Sequence, residues 1–293
     1  MTDARRVVAE ATRRLQAAGL PSATADARWL VSHVLGTSPA GLVFAGPLSD
    51  DEMATIDEAV GRRERREPLQ HILGTAPFGD LDLAVGPGVF VPRPETEVLA
   101  QHALTWLREL GRPAVVVDAC SGSGALALGI ACHVPATVTA IELSPDASTW
   151  LQGNVTEQRP RFTHRGSDVL VIEGDATDTA VWPPPGSVDL VVSNPPYIPD
   201  GCIPRDPEVR DHDPAVALFG GSDGFDVVRP VIARAAEALR PGGLLLIEHA
   251  DDQGEPGGVP ALVRDSGAFT GVTDHRDWSG KPRFTGAERS GHS

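Results

Sequence analysis

The sequence predicts an α/β protein: a parallel sheet covered by helices on both faces, behind a small helical bundle. Three observations point there. Residues up to about 73 carry apolar side chains at helical spacing. From residue 114 onward, apolar strand-like runs alternate with helical segments. A glycine-rich turn and an Asn-Pro-Pro turn fall just past the ends of two of those runs.

In the first region Val7, Val8, Ala11 and Leu15 recur at helical spacing. A second periodic run covers residues 23–35, with Ser22 or Thr24 available as N-cap. Asp50 and Asp51 open a third helix, expected through Ala59. The texture then changes. Phe78, Leu81, Leu83 and Val85 alternate, Gly86-Pro87-Gly88 reads as a turn, and Val89-Phe90-Val91 reads as the returning strand of a hairpin. Pro92-Arg93-Pro94 ends it, and Glu95 and Glu97 sit in the first turn of the next helix, where acidic groups suit the macrodipole. Strands are expected at 114–118, 137–141, 169–173, 188–192 and 244–248, with helices beginning near Ala125, Pro145 and Phe225. Residues 251–258 read as loop and about the last five as a frayed tail. The domain reading is 1–73 helical, 74–93 a hairpin linker, and 94–293 the α/β domain.

Charge narrows the partners. Net charge is −15, which repels a phosphate backbone. The one basic run, Arg62, Arg63, Arg65 and Arg66, is interrupted by Glu64 and Glu67 and reads as a solvated mixed-charge helix face. A protein or small-molecule substrate is favoured over nucleic acid. The charged N-terminal residues lack a signal peptide's apolar stretch, and no run approaches ~18 apolar residues. Three scattered cysteines suggest neither disulfide framework nor zinc site. A monomer in the cytoplasm, off the membrane, is the expectation.

Two segments carry chemistry. Asp118-Ala119-Cys120-Ser121-Gly122-Ser123-Gly124 leaves a strand and opens a helix. Ligands in α/β sheets bind at such carboxyl ends, where glycines admit a ligand and a helix N-terminus supplies free N–H groups. Glu142, ending the second strand, suits a ribose diol, and Asp175, past the third, suits an adenine amino group. Asp118, Cys120, Gly122, Gly124, Glu142 and Asp175 are thus the candidate cofactor residues, with NAD, FAD and S-adenosylmethionine all open.

Asn194-Pro195-Pro196-Tyr197 follows the fourth strand. The prolines remove backbone donors, so the Asn194 side-chain oxygen and the Pro195 carbonyl stand as two acceptors for a planar –NH2 group. Tyr197 offers an aromatic wall. This suits methylation of an amide or aromatic amine, a poor nucleophile that gains from orientation and from acceptors that strengthen as the nitrogen becomes cationic. No general base is required.

Together these residues resemble the HemK/PrmC family, the protein-(glutamine-N5) methyltransferases of class I peptide chain release factors. The likeness also includes 67–74 (EPLQHILG), 91–97 (VPRPETE), Gly221-Ser222-Asp223-Gly224 and Glu248-His249. It implies a class I, Rossmann-like, seven-stranded methyltransferase sheet with its last strands antiparallel. It also implies S-adenosylmethionine as cofactor and a glutamine in a Gly-Gly-Gln loop as substrate. By position, Gly122 and Gly124 line the methionine part, Glu142 holds the ribose and Asp175 lies near adenine. Asn194, also counted with the cofactor residues, accepts from the substrate amide with Pro195, and Tyr197 packs beside it. Cys120 replaces the first glycine of the family's turn, and Asp213-Pro214 stands where Glu-Pro is frequent.

Other residues tempt less. Cys120 as nucleophile lacks a nearby base in sequence, and methyl transfer needs no covalent step. Asp211-His212-Asp213 are too close in sequence to converge on one metal ion, so no metal is expected. His249 reads as structural, and Arg93 as a pocket-mouth or surface charge. Rival functions are adenine-N6 methylation of nucleic acid, glutamine methylation of a ribosomal protein, and a non-catalytic binding protein on this fold.

Overall fold

The computed structural model describes residues 2–291, and its contacts divide the chain into two compact units. The first comprises residues up to Ala76, Val85–Pro87 and Ile203–Asp213. The second comprises Pro77–Ala84, Gly88–Cys202 and the chain from Pro214 on. The division therefore does not fall at one point in the sequence: an eleven-residue segment downstream of Asn194 belongs with the helices.

In the first unit β1 (Thr2–Asp3) pairs antiparallel with β2 (Pro47–Leu48). Helix α1 (Ala4–Ala17) buries Val7, Ala11 and Leu15, one face of a 3.6-residue repeat. Helix α2 (Ala23–Val34) presents Ala27, Leu30 and Val31 to the same core. Helix α3 (Asp50–Glu64) runs five residues beyond the expected end. Its start is a capping box in which Ser49 and Glu52 satisfy each other's backbone N–H. Helix α4 (Leu69–Leu73) stops at Gly74, whose φ of 74° is left-handed.

The basic run is not a solvated face. Arg63 and Asp26 are both buried, and Arg63 Nε donates to Asp26 Oδ2 at 2.7 Å. Arg63 Nη1 reaches Glu208 Oε1 at 2.8 Å, and Arg66 Nη2 reaches Glu208 Oε2 at 3.0 Å. Arg62 is engaged by Glu67. Three of the four arginines are thus committed to internal carboxylates. The periodicity alone could not show this, because Glu208 is more than 140 residues away in sequence.

Beyond α4, β3 (Thr75–Phe78) and β4 (Leu81–Ala84) form a two-stranded sheet. This corrects the expected hairpin. The turn is at Gly79, with φ 59°, not at Gly86-Pro87-Gly88, and Val89-Phe90-Val91 forms no strand. Val89 and Val91 are fully buried, so their alternation records burial without pairing. Pro87 and Pro92 flank the segment and lack amide donors.

After α5 (Pro94–Leu110) come β5 (Ala114–Ala119), α6 (Ala125–Ala131), β6 (Ala136–Glu142), α7 (Pro145–His164), β7 (Asp168–Glu173) and β8 (Val188–Ser193). Short helices α8 (Pro207–His212) and α9 (Ala215–Leu218) precede α10 (Val228–Ala238), β9 (Leu239–Glu248) and α11 (Gly258–Asp265). Strands β10 (Phe269–Arg276) and β11 (Pro282–Arg289) complete a seven-stranded sheet in the order β10-β11-β9-β8-β5-β6-β7. Strand β11 runs antiparallel to both its neighbours, and the pairings from β9 to β7 are parallel. One apolar cluster joins the sheet to α5, α6 and α7, and a second joins it to α10 and α11, so both faces are covered. The chain end is not frayed from residue 289: β11 includes Arg289, and Ser290 N–H donates to Ala268 O. Residues 292 and 293 lie outside the described residues.

Candidate active site

Strand register assembles the site. In β5 and β6 Ala119 pairs with Ile141, and in β5 and β8 it pairs with Ser193. The residues that follow, Cys120, Glu142 and Asn194, therefore emerge side by side at the carboxyl edge. Strands β5 and β8 are the two where the order reverses, the switch point at which open α/β sheets bind ligands. Ser193 Oγ donates to Ala119 O at 2.7 Å and ties the two strand ends together.

The turn after β5 is built on left-handed backbone. Cys120, Gly122 and Gly124 have φ of 64°, 56° and 87°. For Cys120 this conformation costs about 1–2 kcal/mol relative to glycine. Its side chain packs with the apolar cluster under α10. A Cβ on Gly122 would meet nothing within 4 Å, so the turn faces open space there. A Cβ on Gly124 would lie 2.6 Å from Leu151 Cδ1. Burial, with Glu142 and Asp118 nearby, pushes the Cys120 thiol far above its ordinary value, so it is no thiolate nucleophile.

Two buried carboxyls flank this turn. Glu142 Oε2 accepts from Gly122 N–H at 2.7 Å and Oε1 from Ser144 N–H at 2.8 Å. Each oxygen retains a lone pair for an incoming hydroxyl. Burial raises the Glu142 pKa against those N–H donors. Asp118 is buried; its Oδ2 accepts from Ala127 N–H at 2.9 Å, while Oδ1 has no protein partner. Burial lifts its pKa to about 7, against the hydrogen bond from Ala127 N–H. Asp175 is exposed beyond β7 and accepts from Thr177 N–H.

Asn194 follows β8, with Pro195 and Pro196 buried behind it and Tyr197 half-buried. Asn194 Nδ2 donates to Thr96 Oγ1 at 3.4 Å. Tyr197 is fixed through its backbone: Gln253 Nε2 donates to Tyr197 O at 2.8 Å. Gly224, at φ 81°, lies so close that a Cβ there would be 2.4 Å from the same oxygen. Burial, helped by the Glu248 charge, raises the Tyr197 hydroxyl's pKa and keeps it neutral. Thr96, Gln253 and Glu248 were given no role from sequence, although Thr96 and Glu248 lie in segments that carry the family resemblance. Only Glu248 left a signal of its own, an acidic residue ending an apolar strand.

The tempting residues lie elsewhere or inside. Asp211 pairs with its neighbour Arg210, and His249 is buried against Ala250 O and Asp274. Among the described residues no group of three or more His, Cys, Asp or Glu could hold a metal ion. Nor is any helix among them long and apolar enough to cross a membrane.

A seven-stranded sheet with one reversed strand, and a polar edge at the switch point, defines a Rossmann-like methyltransferase. The fold likeness extends to a 16S rRNA N2 methyltransferase from T. thermophilus, solved in complex with AdoMet and guanosine. That match has a TM-score of 0.51 at 21% identity, covering 73% of this chain and 49% of that one. The family described as PrmC N-terminal domain matches residues 6–74, and that described as Conserved hypothetical protein 95 matches residues 77–207. Curated relatives named release factor glutamine methyltransferase match along their full length. The Mycolicibacterium smegmatis protein is 46% identical, covering 100% of both chains. The Streptomyces coelicolor protein is 45% identical over 97% of both. The Deinococcus radiodurans protein is 39% identical over 98% of this chain and 99% of its own. The chain belongs to the release factor glutamine methyltransferase family.

Proposed function

We propose that this enzyme, in the cytoplasm, methylates the side-chain amide nitrogen of a glutamine in a class I release factor, with S-adenosylmethionine as donor. The observation that carries the reading is the register that sets Cys120, Glu142 and Asn194 on one edge, in a chain whose full-length relatives bear that name.

The residues present fit the cofactor. The space beyond Gly122 admits a ligand against the turn. Glu142 has lone pairs left for a ribose diol, and Asp175 lies past the next strand for adenine. Asp118 Oδ1, buried and unpartnered, is an acceptor in reserve for a cationic amino group. Gly124 and the Cys120 backbone complete the wall. Bound S-adenosylmethionine would supply an electrophilic methyl on a sulfonium sulfur. The chain's own work is orientation: Asn194 Oδ1 and the Pro195 carbonyl accept the two amide hydrogens, and Tyr197 flanks the flat group. Those acceptors strengthen as the nitrogen becomes cationic, and its proton then leaves without a dedicated base.

Residues 1–73 hold the protein partner in this reading. Trp29, Val43 and Phe44 are exposed there, and Val43 lines a cavity of about 350 Å³ with Ala4, Val8 and Leu42. Mass spectrometry of purified release factors, incubated with enzyme and S-adenosylmethionine, tests the proposal. One added methyl on a glutamine is expected. Unmodified release factor, with a ribosomal protein or adenine methylated instead, would refute it.

A further inference from the structure

Asn194 raises a question of polarity that shape alone leaves open. Its side chain presents an oxygen on one side and an NH2 on the other, and the two are nearly the same size. Only one orientation accepts from a substrate amide. The flipped one sets donor against donor.

The structure supplies a reason for the productive orientation. In β8 and β9 Ser193 pairs with Ile247, so Glu248 emerges next to Asn194. Glu248 is buried, and its Oε2 has no protein partner. Thr96, also buried, is held by the first turn of α5 between them. Its oxygen takes the Asn194 Nδ2 contact at 3.4 Å, and its hydroxyl lies beside the Glu248 carboxyl. A hydroxyl has one proton. A carboxylate can only accept, so that proton goes to Glu248 and the oxygen's lone pair faces Asn194. The Asn194 NH2 must then point at Thr96, leaving Oδ1 as the free acceptor.

We propose that Thr96 and Glu248 are positioning residues that set the amide of Asn194 with its oxygen toward the substrate. The proposal rests on the role given to Asn194 above. Neither residue need touch substrate or cofactor. Were Glu248 neutral it could donate to Thr96, and the threonine proton would be free to turn to Asn194 Oδ1, reversing the order. The charged groups around Glu248 are Arg283 and Arg93, which favour its ionised form, and Glu95, which opposes it. Tyr197, neutral, lies within reach of its charge.

The test uses the full-length enzyme and a purified release factor. Thr96→Val keeps the shape and removes the hydroxyl, whereas Thr96→Ser restores it. Thr96→Val should lower kcat about tenfold or more, given that ~1 Å misplacement can cost on the order of a hundredfold. S-adenosylmethionine affinity should stay within about twofold, and Thr96→Ser should recover most of kcat. Parent kcat should rise with pH as Glu248 ionises, and Glu248→Gln should abolish that rise. Thr96→Val folded and as fast as the parent, or Thr96→Ser as slow as Thr96→Val, would overturn the proposal. If Thr96→Val does not fold, the Glu248→Gln profile decides, and an unchanged pH limb overturns it. If the parent methylates no release factor, the functional reading fails instead. The relay is then judged from the Asn194 side-chain NH2 resonances, identified by their absence in Asn194→Asp. Their shift must titrate with pH in the parent and not in Glu248→Gln.

Discussion

Replacing Gly122 by alanine separates ligand space from fold stability. The backbone there has φ 56°, and a Cβ would meet no atom within 4 Å. The left-handed conformation costs alanine about 1–2 kcal/mol. Lost freedom in the unfolded chain offsets about 0.4–1 kcal/mol of that. The net destabilisation is about 1 kcal/mol, a fall in Tm of about 1–2 °C for a chain of this size. The added methyl nevertheless projects into the space assigned to S-adenosylmethionine, and affinity should fall at least about tenfold, or ~1.4 kcal/mol. Gly124→Ala is the contrast. Its Cβ would sit 2.6 Å from Leu151 Cδ1, and Leu151 is fully buried. Overpacking on top of the backbone strain should cost about 2–4 kcal/mol. Isothermal titration with S-adenosylmethionine and thermal unfolding of both variants measure the two effects. A Gly122→Ala dissociation constant within about twofold of the parent's would show that the space beyond Gly122 is not the cofactor's.

Two further perturbations test the structure away from that turn. Arg63→Met should cost about 3–5 kcal/mol in urea unfolding, because buried Asp26 loses its cation; a loss below about 1 kcal/mol would return Arg63 to the status of a surface charge. Glu248→Gln reads the buried carboxyl through stability. Burial first of all lifts the Glu248 pKa to about 7. A raised carboxyl contributes stability that is complete below its unfolded pKa and is lost as pH rises through about 7. Glutamine does not titrate, so the parent should lose Tm relative to Glu248→Gln between about pH 4.5 and 7. Buried His249 and half-buried His102 and His275, whose pKa values are lowered by burial, act in the opposite sense but cancel in the difference. A difference in Tm that does not change with pH would refute the burial of a titrating Glu248.

Local chemistry was enough to read much of this protein from its sequence. The five parallel strands were legible because buried β-runs are continuously apolar, and their ends marked Glu142 and Asn194 as edge residues. Asn194-Pro195-Pro196-Tyr197 announced its acceptors because proline removes donors wherever it stands. The hairpin turn was misplaced because burial and pairing leave the same alternation in a sequence: Val89 and Val91 are buried without a partner strand. The basic run misled for a different reason. An arginine's exposure depends on whether a distant carboxylate meets it, and Glu208 does so from more than 140 residues away. What only the tertiary structure decided was adjacency across the sheet. Parallel pairing placed Ala119 between Ile141 and Ser193, and Ser193 beside Ile247. Those registers bring the glycine-rich turn, Glu142, Asn194 and Glu248 together, because long-range strand pairing is fixed by how whole apolar faces pack and not by any residue's neighbours in the chain.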